Sequence, residues 1–94
     1  MSMKKHVIAR LFIKPESIEA FKKSGAGMVE KTNKEEGCIF YRLFEDAANK
    51  GEFLFYEEYA DQATLEIHQK SEYLANFRKR TASMHSKPPT VEVV

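Results

Sequence analysis

CIFYRLFEDAANKGEFLFYEEY, residues 38–59, reads as two strands joined by a turn. From Cys38 to Glu45, Ile39, Tyr41 and Leu43 alternate with Phe40, Arg42 and Phe44. From Glu52 to Tyr59, Phe53, Phe55, Glu57 and Tyr59 alternate with Leu54 and Tyr56. A period of two marks a pleated strand. The intervening Asp46 to Gly51 carries turn chemistry at Asn49 and Gly51. Both strands place apolar side chains on both faces, so this sheet does not read as half wet.

Outward from this hairpin the pattern alternates between helix and strand. His6 to Lys14 is a strand, with Val7, Ala9, Leu11 and Ile13 on one side and His6, Ile8, Arg10 and Phe12 on the other. Pro15-Glu-Ser17 opens a helix whose inner face is Ile18, Phe21, Met28 and Thr32, with an interruption expected at Ser24-Gly25. Gly25 and Gly27 each cost this helix roughly 1 kcal/mol relative to alanine, which close packing on the sheet would explain. Gly37 suits the left-handed exit from that helix. Asp61 caps a helix from Gln62 to about Lys70, Ser71 is a candidate second cap, and a further helix runs from Glu72 to about Ser83. Pro88-Pro89 is expected to break the chain before a short strand from Thr90 to Val94. Strand, helix, strand, strand, helix, strand is the order of a ferredoxin-like α+β fold, a four-stranded antiparallel sheet with its helices on one face. The other face is too apolar to stay bare, which predicts a homodimer joined through the sheet faces.

The composition narrows the partners. With 94 residues the chain holds one domain, residues 1–94, whose own core is thin. Fifteen Lys and Arg against fourteen Asp and Glu leave a net charge of +1 with both signs dispersed, which excludes the footprint of a nucleic-acid or anionic-membrane binder. Arg78-Lys-Arg80, the one dense basic run, reads as a solvated helix end. The single Cys38 permits no intrachain disulfide and fits a reducing compartment, so a cytoplasmic location is expected. No apolar run approaches the roughly 20 residues that span a bilayer. Met1-Ser-Met-Lys-Lys imitates a signal n-region, but Arg10 interrupts the apolar segment behind it.

Chemistry concentrates in residues 53–77. Glu57 shares a face with Phe53, Phe55 and Tyr59, so once buried it needs a partner or a raised pKa. Two readings stand: an ion pair with Arg10 or Arg42 on a neighbouring strand, or an acceptor that orients His68 or holds a substrate hydroxyl. His68 lies three residues after Leu65, beside an apolar position, where it is either a hydrogen-bonded core residue or a base. Tyr41 and Tyr73 are donors facing a substrate or amphipathic core residues. His6, His68 and His85 show no metal-ligand spacing, and nucleophile elbow, phosphate loop and dinucleotide fingerprint are all missing. Cys38 reads as a small core residue rather than a thiolate. Enzymatic work here would be acid–base chemistry or positioning, with no bound nucleotide.

Glu36-Gly-Cys38 followed by Tyr41, then Phe55-Tyr-Glu-Glu-Tyr59, Asp61 through Ala63, Leu65, His68, Ser71 and Phe77 resemble, in order and spacing, the antibiotic biosynthesis monooxygenase domain, which includes quinol monooxygenases. The resemblance implies a dimeric α+β barrel and oxidation of a small phenol or hydroquinone by oxygen with neither metal nor flavin. It implies His68 as base, Glu57 fixing its tautomer, and Tyr41 and Tyr73 holding substrate oxygens, with Phe55 and Arg10 as further substrate contacts. The chain lacks the pocket tryptophans of polyketide-oxidising members. Two other activities fit the same resemblance. One is isomerisation of a phosphorylated autoinducer-type sugar, with Arg10, Arg42 or Lys70 meeting the phosphate. The other is a non-catalytic dimer that binds a small ligand.

Overall fold

The two ring-rich segments form adjacent central and edge strands at the bounds their alternation implies: β2 is Cys38–Glu45 and β3 is Glu52–Tyr59. A computed structural model describes residues 3–94, so the first two residues of the charged start lie outside the described residues. Around the hairpin are β1 (Lys5–Ile13), α1 (Ile18–Thr32, after a 3-10 turn at Pro15–Ser17), α2 (Gln62–Gln69), α3 (Glu72–Thr81) and β4 (His85–Val93). The four strands are antiparallel in the order β2-β3-β1-β4, and the sheet with its helices has the ferredoxin-like α+β arrangement.

One face of the sheet packs under the helices. Val7, Leu11 and Ile13 of β1 and Phe53, Phe55 and Tyr59 of β3 meet Phe21 and Met28 of α1, Leu65 of α2, and Leu74 and Phe77 of α3. Phe21 lies 4.8 Å from Phe53 and 6.0 Å from Phe77 between ring centroids, which locks α1 and α3 over the centre of the sheet. The opposite face carries Ile8, Phe12, Phe40, Phe44, Leu54 and Tyr56, with Phe44 47% exposed.

Four local expectations are corrected. α1 runs unbroken through Ser24-Gly25, because Gly25 is buried where the helix presses closest on Leu43. Gly27, by contrast, has open space where a side chain would go, so close packing explains only the first glycine. Ile39 does not share the face of Tyr41: the β2–β3 register slips between Cys38 and Phe40, leaving Ile39 as the extra residue, 54% exposed. Pro88-Pro89 does not break the chain, and β4 begins at His85. Its register against β1 shifts between Arg10 and Phe12, and an edge strand tolerates proline where the missing N–H has no ladder partner.

Candidate active site

The helix that carries His68 is fixed at both ends by its own side chains. Asp61 Oδ1 accepts from Thr64 N at 2.9 Å while Thr64 Oγ1 accepts from Asp61 N at 3.2 Å, a reciprocal cap. At the far end Ser71 Oγ donates to the carbonyl of His68 at 2.7 Å, so the serine's side chain closes α2 while its backbone stands at the N-cap of α3. Leu65 and His68 are the buried residues of α2, and His68 is 3% exposed.

Beneath α2 and α3 the sheet leaves a cavity of about 260 Å³. Val7, Leu11, Phe55, Leu65, Leu74 and Phe77 make its walls apolar, while Glu57, His68 and Tyr41 stand together on one part of the lining. His68 Nε2 lies 4.0 Å from Glu57 Oε1, and that oxygen accepts a hydrogen bond from the Tyr59 hydroxyl at 2.8 Å. On the other side of the imidazole, Nδ1 is 3.0 Å from Glu35 Oε2. A carboxylate oxygen only accepts, so Nδ1 is the donor there. The Tyr41 and Tyr59 rings flank the imidazole at 5.4 and 5.5 Å between centroids.

Burial governs the electrostatics. It raises the Glu57 carboxyl to about 7, with Glu35 adding in the same direction and the Tyr59 hydrogen bond and the Arg78 charge opposing. Burial, then the charge of Glu57, pushes the Tyr41 hydroxyl far above the ordinary phenol range, so it stays protonated. The Cys38 thiol is pushed up to about 11, chiefly by burial, and remains a thiol. Among the described residues no group of three or more His, Cys, Asp or Glu side chains is placed to hold a metal ion.

Of the residues expected to form the site, His68, Glu57, Tyr41 and Phe55 line the cavity together. Tyr73 does not line it; its ring stands edge-on to His68 at 6.2 Å, with its hydroxyl buried and unpaired. Arg10 is on the opposite face of the sheet, paired in register with Leu54 and Thr90, because β1 alternates and Arg10 is out of phase with Val7, Ala9 and Leu11. Arg42 is on that outer face too, its guanidinium 4.8 Å from the Phe40 ring centroid. Neither arginine reaches Glu57 or the cavity. The cation that does is Arg78, read from sequence as part of a solvated basic run; it is exposed, yet it borders the cavity. Glu35 and Tyr59 are the other contributors that residue spacing did not single out.

A titratable pair at the wall of a largely apolar hollow on a ferredoxin-like sheet defines a small α+β protein with a candidate ligand site. The chain belongs to the antibiotic biosynthesis monooxygenase family, whose model matches residues 6–80. It is similar to "Putative monooxygenase Rv0793" of Mycobacterium tuberculosis, 31% identical over 88 residues that cover 94% of this chain and 86% of that protein. The solved structure of Rv0793 matches with a TM-score of 0.91 and 29% identity over 98% of this chain and 93% of that one. A crystal structure of an antibiotic biosynthesis monooxygenase matches at 37% identity and a TM-score of 0.90, covering 98% and 96% of the two chains. A Synechocystis protein, sll1783, is 28% identical over 87 residues, and the chain spans 59% of that relative's length. Among the described residues no helix is long and apolar enough to cross a membrane.

Proposed function

We propose that this protein is a cofactor-independent monooxygenase that oxidises a small phenolic or hydroquinone substrate with O2, working in the cytoplasm as a homodimer joined through its sheet faces. The observation that carries this reading is His68, whose Nε2 sits beside Glu57 on the lining of a largely apolar cavity while Nδ1 is occupied by Glu35. The cavity also has a suitable size: a hollow of about 150 Å³ accommodates benzene, so about 260 Å³ takes roughly two fused rings.

The chemistry asks little of the protein. Nε2 takes the proton from a ring hydroxyl, and the resulting anion gives one electron to O2. The radical pair combines into a carbon–oxygen bond, and the imidazolium returns its proton to the peroxide. Loss of the ring C–H proton and cleavage of the O–O bond then release water and leave the oxygenated ring. For a hydroquinone the sum is hydroquinone plus O2 giving hydroxyquinone plus water; the ring supplies all four electrons and O2 receives them. Tyr41, held protonated, supplies a hydrogen-bond donor for developing charge on oxygen. Glu57 supports the imidazolium through space rather than fixing the tautomer, since its oxygen is too far from Nε2 for a hydrogen bond.

The test is oxygen uptake with menadiol as the probe. Wild-type protein accelerates it above the spontaneous rate, and His68→Ala loses roughly 10²–10⁴ of that acceleration with its circular dichroism unchanged. Binding without turnover, indifferent to His68→Ala, replaces this reading with a binding module. Phosphate-dependent sugar binding replaces it with an isomerase.

A further inference from the structure

We infer that Glu35, in the turn between α1 and β2, is the positioning residue of His68, and that this turn and α2 form one two-point dock that decides which imidazole nitrogen serves the cavity. Its first point is the 3.0 Å contact of Glu35 Oε2 with Nδ1, made by side chains only 14% and 4% exposed. A hydrogen bond in so dry a place holds both the tautomer and the ring angle, leaving Nε2 unprotonated and next to the cavity wall.

The second point is Gly37 against Thr64. Gly37 has φ +91°, a left-handed conformation that favours glycine, and a Cβ on it would run into the Thr64 side chain. Thr64 and His68 are four residues apart on α2 and therefore share a face. Two residues of spacing in the turn thus match one turn of the helix: Gly37 seats on Thr64 and Glu35 seats on His68. The turn is itself held. Glu35 N donates to the Thr32 carbonyl at 3.0 Å, Cys38 N donates to the Glu35 carbonyl at 3.2 Å, and Ala60 N donates to the Gly37 carbonyl at 2.8 Å. Glu35 therefore meets the imidazole from a backbone with few alternatives, which is what an orienting carboxylate requires.

The relation to turnover rests on the proposed oxidation; the placement of the proton does not. The deciding measurement is the nitrogen-15 spectrum of the His68 ring in intact protein at a pH where the ring is neutral. Wild type is expected to carry its hydrogen on Nδ1. Glu35→Gln, whose amide oxygen still accepts, retains that tautomer, whereas Glu35→Leu shifts the hydrogen substantially toward Nε2. With menadiol, Glu35→Leu lowers kcat roughly 10²-fold while KM changes little, and Glu35→Gln recovers part of the loss. Wild-type His68 protonated on Nε2, or a Glu35→Leu variant with unchanged tautomer, overturns the inference. The wild-type spectrum decides even should a variant fail to fold. Absence of any turnover, with the tautomers as expected, sinks the proposed oxidation and leaves the dock standing.

Discussion

Tyr59 donates its hydroxyl to Glu57 Oε1 at 2.8 Å, and both residues are buried on the helix-covered face of β3. One hydrogen bond does not offset the loss of water around a carboxylate, so the Glu57 pKa rises from 4.5 to about 7. Tyr41 and Cys38 from β2, His68 from α2, Arg78 from α3 and Glu35 from the α1–β2 turn face it, and His85 of β4 lines the same cavity. The folded state therefore holds a proton that the unfolded chain has already released between pH 4.5 and about 7. Stability contributed by the neutral carboxyl is whole below 4.5 and is lost as the pH climbs to about 7. Urea unfolding is expected to show wild type losing roughly 2–3 kcal/mol more between pH 5 and pH 8 than Glu57→Gln does. Equal slopes for the two proteins would remove the raised carboxyl from the account.

Two glycines in one helix should respond with opposite sign. A Cβ on Gly25 would meet Leu43 Cδ2 at 2.5 Å, and Leu43 is packed against the core. A Cβ on Gly27 meets nothing within 4 Å. Gly27→Ala is expected to stabilise by about 0.5–1 kcal/mol through helix propensity alone. Gly25→Ala gains the same propensity but overpacks the helix–sheet contact, for a net loss of about 1 kcal/mol. Thermal unfolding of the pair checks both signs at once.

Much of this architecture is legible because strand alternation and turn chemistry are local. The bounds of β2 and β3, the cap at Asp61 and the left-handed backbone of Gly37 all follow from residues within a few positions of one another, although α1 stops at Thr32 and Gly37 serves the turn into β2 rather than the helix exit. The errors have equally physical origins. A bulge such as Ile39 costs one residue of register, which no period-two count detects without the partner strand. Pro88-Pro89 reads as a break only if every strand position needs its N–H, and an edge strand does not. Of the cavity lining, Glu57, Phe55 and His68 are legible because apolar alternation and chemistry coincide in residues 53–77, and Tyr41 because it alternates onto a face of the neighbouring strand β2. Glu35 is not, since it lies 33 residues before His68 and beside an equally acidic Glu36; only the turn geometry selects between them. Arg10 enters the expected site on its charge alone, although its phase on β1 sets it opposite Val7, Ala9 and Leu11.

The turn that carries Glu35 gives a further check remote from the cavity. Gly37→Ala forces a side chain into a left-handed backbone and against Thr64. Together these cost roughly 2–3 kcal/mol. The same variant should loosen the Glu35–His68 contact, so menadiol oxidation falls although no cavity-lining residue has changed. An equally destabilising change elsewhere, Ile13→Ala under the opposite end of α1, provides the control: it lowers the melting temperature without the matching loss of kcat at a temperature where both proteins are folded.

The outer face of the sheet sets the last prediction. Phe44 and Leu54 are register partners there, and Phe12, Phe40 and Tyr56 extend the patch beyond what an isolated sheet leaves to water. Its charges are of both signs: Arg10 and Arg42 stand with Glu58, which is paired to Lys4, so a copy related by two-fold symmetry meets no field of a single sign. Sedimentation at micromolar concentration is expected to give about 22 kDa, twice the 10.9 kDa chain. Phe44→Lys with Leu54→Lys should convert it to a monomer, because two desolvated ammonium groups from each copy would face each other at the interface. Both side chains point away from the cavity, so a monomeric variant that still binds menadiol separates assembly from the site. Wild type sedimenting as a monomer would mean that the apolar face is covered by something other than a second copy.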